Sequence, residues 1–414
     1  MHYFQYRDHV LYCDDVDIRA VAEEVGTPFY LYSYRTLLRH CTNLHRAFGD
    51  TPHLTCYSMK ANGNLAILNM LAWEGIGVDI VSGGELYRAL KAGFPPDRIV
   101  YAGVGKTDAE IRYALEEGIL AFNVESLPEL EVINEIAGQM GKTAPVGLRI
   151  NPDVDAKTHP HISTGLKENK FGFSSAHALE SFKRAAGMRH LQVIGIAAHI
   201  GSQITTVAPF VESAEKLALM AASLKREGIA LQYVDIGGGL GIRYHEEVPP
   251  EPSEWVEAVL PALKPTGLKV IFEPGRALVG NAGILVVRVL YVKETERKTF
   301  VIVDGGMNDL IRPSLYGAYH EIWPVEHTDV EPIVADVVGP ICESTDFFAK
   351  DREIQRPKRG DLLAVMSAGA YSFSMSSNYN ARPRAVEAMA RDDQFTVIRE
   401  REHYEDLVRG ERFL

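Results

Sequence analysis

The strongest constraint on the fold is a rhythm in the middle of the chain. Short β-prone runs at 54–58, 77–81, 99–102, 120–124, 146–150, 193–198, 233–236 and 269–272 alternate with amphipathic segments. In those segments the apolar residues fall three and four apart, as in Leu65-Leu68-Leu71-Ala72 and Leu86-Ala89-Leu90, the period of a helix with one buried face. Strand and helix in alternation build a parallel sheet. Eight such units in roughly 240 residues match a closed (β/α)8 TIM-type barrel. An open doubly wound sheet is the alternative, but it normally carries a GxGxxG turn after its first strand, which is missing here.

From Gly283 the pattern changes. The runs 284–292, 299–303, 333–338 and 362–366 are apolar or alternating with turns between them, and helix is next expected only at 385–389. This predicts a mainly antiparallel β domain. The N-terminus reads as a hairpin (Phe4-Gln5-Tyr6, then Val10-Leu11-Tyr12), a small helix near 18–25 and a strand over 28–32. It has no place in the barrel rhythm and is assigned to the β domain; a helix over 34–48 leads into the barrel. The expected division is 1–33 as the first part of the β domain, 34–280 as the barrel and 281–414 as the remainder. A length of 414 residues is too great for one compact core, which suits two domains.

The ends of the barrel runs carry the polar chemistry: Lys60, Asp79 with Ser82, Asn123 with Glu125, Arg149 with Asn151, His199 with Ser202, Gly237-Gly238-Gly239, and Glu273 with Arg276. Each alone reads as a loop residue or a helix cap. Together they stand at the C-terminal ends of successive strands, where barrel active sites are built. Lys60 follows the buried run Leu54-Thr55-Cys56-Tyr57, and an amine that is costly to bury as a charge sheds its proton and becomes a nucleophile. The glycine runs after strands seven and eight (237–241 and Pro274-Gly275-Arg276) lie where barrels hold phosphate, although a plain tight turn is the commoner use of such glycines. A nucleophilic lysine facing a phosphate site points to pyridoxal 5'-phosphate. Glu273 is placed to meet its pyridine nitrogen, His199 to pack on its ring and Ser202 to bond its phosphate.

Composition removes other classes. A formal net charge of -12 and a pI of about 5.7 argue against nucleic acid or an anionic membrane as partner. No apolar run is long enough to span a bilayer and no apolar signal region opens the chain, so a cytoplasmic enzyme is expected. Cys13, Cys41, Cys56 and Cys342 form neither a CxxC pair nor a metal spacing with histidine, which suits a reducing compartment and predicts no metal.

The motifs YSMKAN (57–62), HIGSQ (199–203), DIGGGLGI (235–242), EPGR (273–276), CESTD (342–346) and GAYSFSMSSNYNARPR (369–384) occur in one order along nearly the whole length. In them the chain resembles the PLP-dependent decarboxylases that join an alanine-racemase-like barrel to a β domain. CESTD and the SMSSNYN stretch resemble the diaminopimelate decarboxylase branch in particular. The resemblance implies decarboxylation of meso-2,6-diaminopimelate to L-lysine, the last step of bacterial lysine biosynthesis. It implies that Lys60 carries the cofactor covalently, that His199 stacks on it, and that Glu273 meets the ring nitrogen. Ser202, Gly238, Gly239, Gly275, Arg276 and Tyr371 would surround the phosphate. Arg276, Arg312 and Tyr316 would receive the distal carboxylate and Glu343 the distal ammonium, with Tyr371 also at the substrate. Cys342 would be the general acid, and its loop would come from the other subunit of a homodimer. Where the family often has glycine after GAY, this chain has Ser372, which bears on the local loop shape.

Two other readings stand beside this one. Sister decarboxylases act on ornithine, arginine or carboxynorspermidine, but those substrates give Arg312 no carboxylate to meet. A non-catalytic cofactor-binding homologue would have no use for Lys60, Cys342 and the phosphate glycines together.

Overall fold

The computed structural model describes residues 2–155 and 170–414. They form two compact units, one of Cys41–Ile242 with Val248–Ala277 and the other of Met1–His40, Arg243–Glu247 and Leu278–Leu414.

The first unit is a closed barrel. Among the described residues its eight strands are His53–Ser58, Gly77–Ile80, Ile99–Tyr101, Ala121–Val124, Ala144–Asn151, Leu191–Ala197, Tyr233–Asp235 and Lys269–Phe272. Each pairs in parallel with the next, and Val270 opposite His53 closes the ring. The alternative of an open sheet is thereby removed. Leu54, Cys56, Val100, Ala121, Ile194, Tyr233 and Ile271 fill the interior, so the barrel is a packed core with its chemistry at one rim. Polar residues after the strands start the helices. Ser82 accepts from the Glu85 N–H at 3.2 Å to cap Gly83–Ala92, and Thr107 with Glu110 forms a capping box on Asp108–Glu117. Ser82 thus does the bland job of a helix cap.

The second unit is built on a sheet in the order Phe347–Gln355, Pro332–Val338, Thr299–Val303, Gly283–Glu294, Phe29–Ser33, Val386–Arg391, Gln394–Arg399. Pairing is mostly antiparallel; Thr299–Val303 with Pro332–Val338, and Phe29–Ser33 with Val386–Arg391, run parallel. Phe29–Ser33 lies between strands from the C-terminal half, which ties the N-terminus into this unit. Its core packs Phe4, Leu11, Ile18 and Phe29 against Ile284, Val286, Ala364 and Ala388. The N-terminal hairpin pairs Phe4–Arg7 with Val10–Cys13 across a two-residue loop in which Asp8 and His9 both have positive φ, the twist-matched hairpin turn.

One expected element is wrong. The helix anticipated at 385–389 is a strand, Val386–Arg391. Alanine, methionine and glutamate favour helix, but burial on both faces and pairing beside Phe29–Ser33 in the sheet override that preference. Glu387, fully buried, is kept there by Arg399 and by the Tyr32 hydroxyl, which donates to it at 2.7 Å. The strand Phe347–Gln355 escaped sequence reading because Lys350, Asp351, Arg352 and Glu353 hide its alternation. No helix among the described residues is long and apolar enough to cross a membrane. All four cysteines are free thiols, three buried and Cys342 exposed.

Candidate active site

The first strand ends in a single helical turn, Met59–Ala61, that carries Lys60 past the barrel rim. Lys60 Nζ lies 3.1 Å from Asp79 Oδ2, at the end of the neighbouring strand. The lysine side chain is 40% exposed and the aspartate 1%. Burial, the reason the sequence offers for a neutral amine, is therefore not what the structure supplies; Asp79 supplies a counter-charge that holds the amine in place. Ser58 Oγ donates to the same Asp79 oxygen at 3.2 Å and so helps aim it.

Glu273 follows the eighth strand. Its amide donates to the Gly237 carbonyl at 2.8 Å, which fastens the strand end to the glycine turn. Burial pushes the Glu273 carboxyl well above its usual range, with the neighbouring carboxylates Asp235 and Asp79 pushing the same way. Asp235, pushed up to about 6 by burial, shares a hydrogen bond with Glu273 and accepts from Asn123 at 2.8 Å and the Gly237 N–H at 2.9 Å. The pair therefore holds a proton that two separate carboxylates would have released.

His199 is half-buried. Loss of water, then Arg149 and Lys60, push its imidazole well below the usual range, so it stays neutral. Its Nδ1 accepts from the Gly238 N–H at 3.1 Å, which puts the ring proton on Nε2. The loop that follows is clipped to the glycine turn. Ile204 N–H donates to Gly239 O at 2.9 Å, and the Gln203 amide exchanges bonds of 2.6 and 3.1 Å with Ile242. Arg276 Nη2 donates to Ser202 Oγ at 3.0 Å, bringing those two residues together, and Gly275 is the buried bend just before Arg276. Gly238 has no room for a side chain, because a Cβ there would sit 1.9 Å from Glu273 O; Gly239, at φ +110°, needs the freedom of glycine.

Glu273 Oε1 and Asp79 Oδ1 are buried with no hydrogen-bond partner among the described residues. Orphaned buried acceptors beside an amine call for a ligand that brings N–H donors or positive charge. The glycine turn with Ser202 and Arg276 offers donors suited to an anion. A protonated pyridine bearing a phosphate satisfies both requirements, so the barrel residues fit pyridoxal phosphate.

The remaining sequence-selected residues belong to the β unit. Arg312 is buried and opens the short helix Arg312–Tyr316; Tyr316, half-buried and four residues on, shares its face. Cys342 and Glu343 are exposed but not loose. The Cys342 N–H donates to Asn380 Oδ1 at 2.8 Å, and Glu343 Oε2 accepts from the Tyr379 hydroxyl at 3.4 Å. Asp346 pins the loop by accepting from the Ile341 and Met307 amides, each at 2.7 Å. The CESTD and SMSSNYN motifs are thus two sides of one structure. Tyr371 is half-buried at φ +55°. Ser372 sits at φ -113° with its hydroxyl donating to Ala370 O at 3.2 Å, so glycine is not required at that position.

Residues 34–280 match the model of the pyridoxal-dependent decarboxylase family, pyridoxal binding domain. The chain is 50% identical to the diaminopimelate decarboxylase of Vibrio cholerae over 98% of both proteins, and 49% identical to that of Aquifex aeolicus over 98% of this chain and 96% of the relative. The chain belongs to the diaminopimelate decarboxylases. Among solved members, the M. jannaschii diaminopimelate decarboxylase in co-complex with L-lysine is 40% identical, with a TM-score of 0.95 over 99% of this chain and 98% of that one. The Helicobacter pylori diaminopimelate decarboxylase complexed with L-lysine is 45% identical, at 0.92 over 95% and 98%. Against this family background, sequence reading noted Asp79 without giving it a role and quoted Asp235 only inside its motif. Their signal was position, since each ends a barrel strand beside a residue already selected. Asn380 gave no signal of its own.

Proposed function

We propose that the chain removes carbon dioxide from meso-2,6-diaminopimelate to give L-lysine, using pyridoxal phosphate held by the barrel over 34–280. The observation that carries this reading is the full-length likeness to diaminopimelate decarboxylases at about half of all positions. The orphaned acceptors at Glu273 and Asp79 support the cofactor.

Bound pyridoxal phosphate supplies a covalent carbonyl attachment and a ring that takes up the electrons released with carbon dioxide. Lys60 is the attachment point, with Asp79 orienting its amine. Glu273 Oε1 would accept a hydrogen bond from the protonated ring nitrogen, whose positive charge favours ionisation of a carboxyl that its neighbours otherwise keep protonated. Neutral His199 would pack on the ring without adding charge. Ser202, Arg276 and the N–H groups of Gly239 and Gly275 bind the phosphate, with Gly238 leaving room beside it and Tyr371 assigned to phosphate and substrate. Arg276, Arg312 and Tyr316 receive the distal carboxylate, for which the guanidinium offers a planar fork, and Glu343 receives the distal ammonium. Cys342 delivers the proton to the carbon left by carbon dioxide. A loop that is exposed in its own subunit yet firmly tied suits delivery of Cys342 and Glu343 across a homodimer.

The test is carbon dioxide release from the meso, LL and DD forms of diaminopimelate beside ornithine and arginine. Turnover of the meso form alone, with equimolar lysine, is the expected result. Faster turnover of ornithine or arginine would replace this reading with that of a sister decarboxylase.

A further inference from the structure

Arg312 is a long, flexible side chain in a buried position, and something must choose its rotamer. His320 and Tyr244 both contribute to that choice, and neither stands in a motif. Arg312 Nη1 lies 2.9 Å from His320 Nε2, and His320 Nδ1 lies 2.7 Å from the Met366 carbonyl. A guanidinium only donates and a carbonyl only accepts, so Nε2 accepts from Arg312 and Nδ1–H donates to Met366. The histidine is fully buried and is held between these two bonds. Tyr244 provides the other wall. Its ring lies under the Arg312 guanidinium at 4.6 Å and meets His320 edge-on at 5.2 Å.

Tyr244 is itself fixed. Glu247 accepts from the Tyr244 and His245 amides at 3.1 and 2.7 Å, Arg243 Nε donates to His245 O at 2.8 Å, and the His245 ring packs on Tyr319 at 4.1 Å. The Met366 amide donates to Glu321 O at 2.8 Å, which locks the carbonyl that orients His320.

We propose that His320 and Tyr244 are positioning residues that set the plane of Arg312 and so select substrates bearing a distal carboxylate. The proposal rests on the reading that Arg312 receives that carboxylate. A neutral acceptor on one guanidinium nitrogen and a ring against the face together fix the plane in which the guanidinium is presented. Neither residue is required to touch substrate.

The unreacted head of the substrate survives in L-lysine, whereas 1,5-diaminopentane has lost it. Affinities of the cofactor-loaded protein for these two ligands therefore read the carboxylate contact apart from turnover. A hydrogen bond to a charged group corresponds to roughly 10–150-fold in affinity. His320→Leu is expected to weaken L-lysine by about tenfold or more and diaminopentane by less than about twofold, with the meso-diaminopimelate KM rising by more than kcat falls. His320→Gln, whose amide oxygen can accept from Arg312 while its N–H serves Met366, is expected to recover most of the loss. Should His320→Leu fail to fold, Tyr244→Leu compared with Tyr244→Phe gives the same contrast. Equal weakening of both ligands would assign these residues a merely structural role and overturn the proposal. So would unchanged L-lysine affinity in His320→Leu and Tyr244→Leu while Arg312→Ala still weakens it. If Arg312→Ala itself leaves L-lysine binding intact, the fault lies in the carboxylate reading on which the proposal rests, and both fall.

Discussion

Glu273 and Asp235 end adjacent strands and share a proton. Both folded pKa values lie above the unfolded ones, 3.8 for Asp235 and 4.5 for Glu273, so the folded protein keeps protons that the unfolded chain gives up. Their stabilising contribution is complete below the unfolded values and is lost as pH rises, for Asp235 between about 4 and about 6. In cofactor-free protein, Glu273→Gln should therefore gain thermal stability relative to wild type as pH rises from about 4 to 8; parallel melting curves would contradict the shared proton. Cys342→Ala should lower kcat by roughly 10²–10⁴-fold, the usual worth of a positioned acid, while cofactor absorbance is retained. Unchanged turnover would remove Cys342 from that role. At this scale the sequence placed Lys60, His199 and Glu273 after strands, and the structure puts them there. It could not show that Lys60 is exposed and paired with Asp79, because pairing across neighbouring strands depends on register and rotamer.

At the scale of elements, the glycine turn is where backbone space is tightest. Gly238→Ala would drive a methyl group into the Glu273 carbonyl, so the turn must open and pull away from His199, whose Nδ1 it satisfies. Pyridoxal phosphate affinity, measured by equilibrium dialysis, should fall at least about tenfold, while Ser82→Ala, which loses only a helix cap worth about 1 kcal/mol, should leave it unchanged. Equal affinity in both variants would remove the turn from cofactor binding. The barrel was legible because buried parallel strands and amphipathic helices each leave a periodic signature. The β unit was less so. Val386–Arg391 reads as helix from its residues, and the charges of Phe347–Gln355 hide its strand period; only their neighbours in the sheet decide otherwise. The bond from the Cys342 amide to Asn380 joins residues 38 apart and left no trace that spacing could reveal.

At the scale of the molecule, the proposed cofactor residues other than Tyr371 belong to the barrel unit, and Tyr371 and the proposed acid to the β unit. If two copies share their sites, mixing subunits that carry Lys60→Ala with subunits that carry Cys342→Ala should restore activity to about a quarter of wild type, because half the dimers are mixed and each has one intact site. No recovery after verified subunit exchange would place the whole site within one copy. The central claim, that Lys60 is the residue to which the cofactor is joined, has a more direct test. Borohydride reduction of the pyridoxal phosphate-loaded protein, followed by peptide mass spectrometry, should place one phosphopyridoxyl group on Lys60 and none in Lys60→Ala. A label on another lysine, or an unchanged label in Lys60→Ala, would contradict it.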